Sequence, residues 1–376
     1  MELTVGIAVL GCGTVGSSVA ERLLHERGLL ERRSGASYRV RGIAILDRHK
    51  ARHDSIDRRL LTTDAASLVD DPHVDLVVEV IGGVTRAAEF VERALYRGRH
   101  VVTANKELLA THGPRLQALA AASGAALRSE AAVAAAVPIL RTLNEALAGD
   151  TIGSVAGVVN GTCTSILSAM EDGLSFEEAL ARAQSLGYAE SDASHDLDGA
   201  DSAHKLALLA QASFGLAVIS PRIRYGGIRH VTQRDVARAR MSGLRIRPVV
   251  AAIRTERGIL AESAAVAVPQ DHEFARTAGP LSVVQVAARD AGTLVLRGTG
   301  AGGAATASAV LGDVITLLRA IAQGRDQNLR GHGTALEPVI EVEPFFARLS
   351  RSAELPDYPL WNDSLVGTAL AQAVNA

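Results

Sequence analysis

Residues 5–16 read VGIAVLGCGTVG, an unbroken apolar run that ends in three spaced glycines. Six apolar residues in a row suit a parallel strand covered on both faces. The glycines at Gly11, Gly13 and Gly16 form G-x-G-x-x-G, and a helical pattern, SSVAERLLHERGLL, follows at once. A strand before and a helix after are the context in which this signature means dinucleotide binding. Gly11 permits the tight turn, Gly13 lets a pyrophosphate approach the backbone, and Gly16 lets helix and strand pack closely. The helix start at Thr14, Val15 and Gly16 then offers its N–H groups to the phosphates. The stretch therefore predicts an α/β protein with a Rossmann-type parallel sheet that binds NAD or NADP.

Downstream the same alternation continues. A second strand is expected over 38–46, with Asp47 at its end where a carboxylate takes the ribose hydroxyls of NAD. Arg48, His49, Lys50 and Arg52 follow, and they could hold the 2′-phosphate of NADP instead. The choice between the two cofactors stays open. Residues 75–81 and 100–103 read as further strands, and 126–130 ends another. Lys106 follows the 100–103 strand, at the carboxyl end of a parallel sheet where such folds bind ligands.

From about Thr151 the character changes. Residues 249–253 with 259–268, and 283–287 with 293–297, read as hairpins around glycine turns. The second sheet is therefore expected to be mixed, in an α+β domain. The expected division is 1–150 for nucleotide binding and 151–305 for catalysis and dimerisation. A helix at 306–326 returns to the first domain, and a tail of unassigned role covers 327–376. A glycine run at 298–303, with Gly300 and Gly302, precedes that helix and offers a second cofactor contact.

Composition limits the function. Aromatic residues are only 3% of the 376, so the cores must be built from aliphatic side chains. A net charge of -2 gives no support to a nucleic-acid partner. Two cysteines, Cys12 and Cys163, are too few for a disulfide framework or a thiolate metal site. No uninterrupted apolar run approaches the ~18 residues of a membrane span. The N-terminus enters a strand without a leader pattern, so a cytoplasmic location is expected.

The densest chemistry lies at 187–205, GYAESDASHDLDGADSAHK. Glu190, Asp192, Asp196, Asp198 and Asp201 precede Lys205, with glycines at Gly187 and Gly199. A helix is expected from about Gly199, with Asp198 as its N-cap. On it Asp201 and Lys205 are four apart and share a face. Alone, such a pair reads as a solvated surface contact; a nucleotide signature in the same chain makes it a candidate active site.

Taken together, several stretches resemble homoserine dehydrogenase. They are GCGTVG (11–16), VDLVVEVIGG (74–83), VVTANKELLA (101–110), SEAAVAAAVPIL (129–140), GVVNGTCTSIL (157–167), the 187–209 segment and GTGAGGAATASAV (298–310). The resemblance implies hydride transfer between NAD(P) and the L-homoserine/L-aspartate 4-semialdehyde pair, on the route to threonine and methionine. It implies Lys205 as the acid/base, Lys106 beside substrate and cofactor, Glu190 on the substrate ammonium, and Asp201 bonded to substrate or its water. Gly187, Gly300 and Gly302 would lie near the cofactor. A monovalent cation, usually sodium, would be held by carbonyls of Glu130, Val133, Ala135 and Val137. A homodimer is also implied. Ala135 and Ala136 stand where the family usually has glycines, and Thr164-Ser165 where it usually has Asn-Tyr. These departures raise a related amino-acid semialdehyde as an alternative substrate; retention of the acidic and lysine residues speaks against a silent nucleotide-binding protein. The tail is short for the regulatory ACT domain that many bacterial members carry.

Overall fold

The structure, a computed structural model, describes residues 4–50, 55–324, 336–339 and 341–364. Arg52, one of the bases considered for a 2′-phosphate, lies outside them, as does Gln327. The chain divides into two compact units, 1–135 with 303–336, and 136–302 with 337–376. The change of unit therefore comes at 135/136, earlier in the chain than the change of pattern read near residue 151.

The first unit is built on a six-stranded sheet. Its strands are β1 (Thr4–Leu10), β2 (Ser37–Ala44), β3 (Leu61–Thr62), β4 (Leu76–Glu79), β5 (His100–Thr103) and β6 (Leu127–Arg128). All pairs are parallel, in the order β3-β2-β1-β4-β5-β6. Strand order reverses between β1 and β4, and ligands of such sheets sit outside the carboxyl ends of the strands at that point. Six of the seven residues of β1 are buried, as the apolar run required.

The helix Gly303–Ala322 completes this unit. By length and mean hydropathy alone it could cross a membrane. Here Ala307, Val310, Leu311, Val314, Leu317 and Leu318 fill the core beside β1 and the helix Thr14–His25. Asp313 and Arg319 interrupt its apolar sequence, and buried Asp313 accepts the Glu130 backbone N–H at 2.8 Å. Gly303 begins it because a Cβ there would lie 2.9 Å from the Thr14 backbone oxygen.

The second unit has a mixed sheet of β7 (Ile152–Val158), β8 (Arg224–Tyr225), β9 (Leu244–Thr255), β10 (Gly258–Pro269), β11 (Leu281–Ala288), β12 (Gly292–Thr299) and β13 (Glu341–Glu343). The order is β12-β11-β7-β9-β10-β13, with β8 also on β10. Both expected hairpins form, β9 with β10 and β11 with β12, and β8 and β13 add parallel pairs. Alternate residues of β10 enter different cores. Ala265 and Ala267 face the helices Gly161–Glu171, Phe176–Ser185 and Gln233–Met241, while Val266 and Val268 face an aromatic cluster. That cluster joins Phe274 to Phe345, Phe346 and Trp361 of the C-terminal segment.

Candidate active site

In the first unit the glycine turn has a separate reason for each glycine. Gly11 has φ +105°, and a Cβ on it would lie 2.6 Å from the Val80 oxygen. A Cβ on Gly16 would lie 2.2 Å from the Gly11 oxygen. Gly13 is different: a Cβ there would meet nothing within 4 Å. The protein leaves that space open at the N-terminus of Thr14–His25, a helix that no side chain caps. An open cradle over uncapped N–H groups fits a pyrophosphate. Asp47 is exposed three residues past β2, and its Oδ1 accepts the His49 N–H at 2.7 Å.

At the carboxyl ends of β4 and β5 lies a polar network that the sequence reading passed over. Glu79, fully buried, accepts the Ile81 N–H at 2.7 Å and the Thr103 hydroxyl at 2.5 Å. Burial pushes its carboxyl above the usual range, against the hydrogen bonds it accepts. Asn105 donates its side-chain N–H to the Gly83 oxygen at 2.7 Å and caps the helix Lys106–Ser123 by accepting the Leu108 N–H. Lys106 is the first residue of that helix, half-buried. The apolar run DLVVEVI hid Glu79 because its partner Thr103 lies 24 residues further along the chain.

In the second unit, Asp201 and Lys205 stand on the first two turns of the helix Ala200–Phe214. Lys205 Nζ is 2.8 Å from Asp201 Oδ2 and donates to the Val159 oxygen, also at 2.8 Å. Both side chains are buried, at 9% and 4% exposure for the whole residues, so this is not a solvated surface pair. Asn160 organises the cluster. Its Oδ1 accepts the Cys163 N–H and caps the helix Gly161–Glu171. Its amide donates to Asp196 Oδ1 at 2.8 Å and Asp201 Oδ2 at 2.9 Å. A strand ending in Asn before a helix is an N-cap signal that could have singled it out. Thr164, one of the departures from the family pattern, is buried and donates to the Asn160 oxygen at 2.7 Å.

Asp198 does not cap the Ala200–Phe214 helix as expected. Gly199 does so with φ +94°, and Asp198 pairs with Arg229. A Cβ on Gly199 would lie 2.7 Å from the Gly226 oxygen, so close backbone contact rather than capping chemistry shaped this turn. Glu190 lies apart from the buried cluster, exposed on the loop after Gly187, which has φ +72°. A Cβ on Gly300 would strike Ser282 Oγ, and Gly302 has φ +102°.

Glu130, Val133 and Ala135 belong to the first unit and Val137 to the second; all four are buried. Ala135 has φ +45°, the one non-glycine among the described residues with positive φ.

A family model for the homoserine dehydrogenase NAD-binding domain matches residues 11–130, and one for homoserine dehydrogenase matches 138–315. The chain is 42% identical to the homoserine dehydrogenase of Corynebacterium glutamicum over 322 residues, covering 84% of this chain and 72% of that one.

This chain belongs to the homoserine dehydrogenase family.

Among solved structures, a homoserine dehydrogenase from Thiobacillus denitrificans superposes with a TM-score of 0.82 at 35% identity, over 96% of this chain and 80% of that one. A hyperthermophilic archaeal homoserine dehydrogenase in complex with NADPH matches with a TM-score of 0.67 at 27% identity, over 84% and 97% of the two chains. Homoserine dehydrogenases are NAD(P)-dependent oxidoreductases of amino-acid biosynthesis, and both halves of this chain carry the family's domains.

Proposed function

We propose that this chain interconverts L-homoserine and L-aspartate 4-semialdehyde, with Lys205 handling the proton of the reacting oxygen. The carrying observation is the buried Asp201–Lys205 pair tied to Asn160 and Val159. A lysine ammonium has three N–H donors. Two are directed at Asp201 and the Val159 oxygen, and the third is the one we assign to an oxygen of the substrate. The bound nicotinamide supplies or accepts the hydride. As the aldehyde carbon gains hydride, its oxygen gains charge, and a proton from Lys205 offsets it; for Lys106 the resemblance implies a place beside substrate and cofactor. Asp201 keeps the ammonium aimed and bonds the substrate or its water. Glu190, exposed and anionic, anchors the substrate ammonium by a charge-assisted contact.

The nucleotide would be NAD or NADP, cradled by Gly11, Gly13, Thr14, Val15 and Gly16, with Asp47 at the ribose; the resemblance implies further cofactor contacts at Gly187, Gly300 and Gly302. The archaeal relative's NADPH complex supports this use of the fold. A sodium ion on the carbonyls of Glu130, Val133, Ala135 and Val137, a homodimer and a cytoplasmic location complete the reading.

The test is a spectrophotometric assay of the purified protein with L-homoserine and each nicotinamide cofactor, following the reduced ring. Turnover is expected, and Lys205→Met should lower kcat by about 10²–10⁴-fold. Glu190→Gln should raise KM for homoserine. No turnover with either cofactor, or a folded Lys205→Met enzyme with native kcat, would sink the catalytic assignment. Replacing sodium with choline checks the cation, and sedimentation velocity checks the dimer.

A further inference from the structure

Glu79 is buried at the switch point of the first sheet, yet the chemistry above does not use it. What reaches its carboxyl is a set of donors from the surrounding loops. Ile81 N–H bonds one oxygen at 2.7 Å, and the Thr103 hydroxyl bonds the other at 2.5 Å. The Gly82 N–H and the Asn105 side chain also act on it. The turn it holds contains Gly82 and Gly83, with φ +81° and +69° and open space where each Cβ would be. Glycine takes positive φ at no steric cost, and neither glycine has a side chain to anchor the turn. Side-chain packing cannot hold this turn, so hydrogen bonds must. The bonds continue in one direction. Thr103 Oγ1 accepts the Asn105 N–H at 3.0 Å, Asn105 returns to Gly83 at 2.7 Å, and Asn105 caps the helix that begins with Lys106.

We infer that Glu79 is a positioning residue for the dehydrogenase reaction: it ties the 81–83 turn through Thr103 and Asn105 to the start of the Lys106–Ser123 helix, and so fixes Lys106. This rests on the reading that Lys106 works at the reacting atoms. The links between Glu79 and Lys106 are hydrogen bonds of Thr103 and Asn105, so the carboxyl acts by geometry. The groups around it are donors, so both of its oxygens act as acceptors, and an amide keeps only one of them.

The test is a double-mutant cycle in the full chain. Glu79→Ala should lower kcat by about 10–100-fold, the scale of a small misplacement of a catalytic group. Glu79→Gln, which keeps one acceptor oxygen, should restore part of it. In a Lys106→Ala background, Glu79→Ala should cause no further fall in kcat, because the group it positions is gone. Should Glu79→Ala fail to fold, Thr103→Val and Thr103→Ser repeat the cycle, since only serine keeps the hydroxyl link. An impaired Lys106→Ala enzyme that loses the full additional factor on Glu79→Ala or Thr103→Val overturns the inference alone. A Lys106→Ala enzyme with native kcat removes the reading of Lys106, and the inference with it.

Discussion

Ala135 is buried and held at φ +45° and ψ -107°, outside the regions an L side chain prefers. Strain of this kind costs of order 1–3 kcal/mol. Glycine at the position would relieve it, and would lose about 0.4–1 kcal/mol through a freer unfolded chain. The strain is the larger effect, so Ala135→Gly should stabilise the protein by about 1 kcal/mol. Thermal unfolding should then rise by a few degrees, roughly 2–4 °C. Ala135→Val should move the midpoint down. A lower midpoint for the glycine variant would mean that the backbone relaxes elsewhere and that no strain is held there. The resemblance to the family singled out Ala135 as a departure from a usual glycine; only the backbone angle shows why glycine suits the site.

At the scale of elements, Asn160 does two things that substitution can separate. Its Oδ1 caps the Gly161–Glu171 helix, while its amide holds Asp196 and Asp201. Aspartate caps a helix about as well as asparagine, but it donates nothing and would set a carboxylate against two others. Asn160→Asp should therefore cut kcat/KM far more than Asn160→Ser, a smaller residue that also caps. Steady-state kinetics beside urea unfolding would read the two roles apart, and native activity in both variants would remove Asn160 from the site. This pair of roles marks the limit of the sequence. The glycine turn, the two hairpins and the helix with Asp201 and Lys205 were legible because each is specified within a few residues. Asn160, Glu79 and Thr103 were not, because their partners lie 24 to 41 residues away. The same holds for β13, whose place on β10 depends on residues more than 80 positions apart. Asp198 was misread because capping preference lost to the close approach of Gly199 to Gly226.

Across the whole molecule, each unit encloses one buried tyrosine that makes the fold sensitive to alkali. Tyr38 of the first unit donates to the Leu23 oxygen at 2.7 Å. Burial, then nearby Glu31, pushes its phenol well above the ordinary value. Tyr358 of the second unit donates to Asp235 at 3.1 Å and stacks on His230. Burial again comes first, with the Asp235 carboxylate adding to it. A phenol whose folded pKa is raised favours folding fully below its unfolded value of ~10. That contribution is lost as pH rises above it, because the unfolded chain then ionises first. Urea midpoints should consequently fall from about pH 10 upward, beyond what exposed groups cause. Tyr38→Phe and Tyr358→Phe should each be less stable near neutrality, by about 1 kcal/mol for the lost hydrogen bond. Each should also show a shallower fall at high pH. Trp361 is the only tryptophan and packs in the second unit, so its fluorescence reports that unit. Circular dichroism reports both. The Tyr358→Phe effect should appear in the tryptophan signal, and a slope with pH identical in wild type and both variants would refute the linkage.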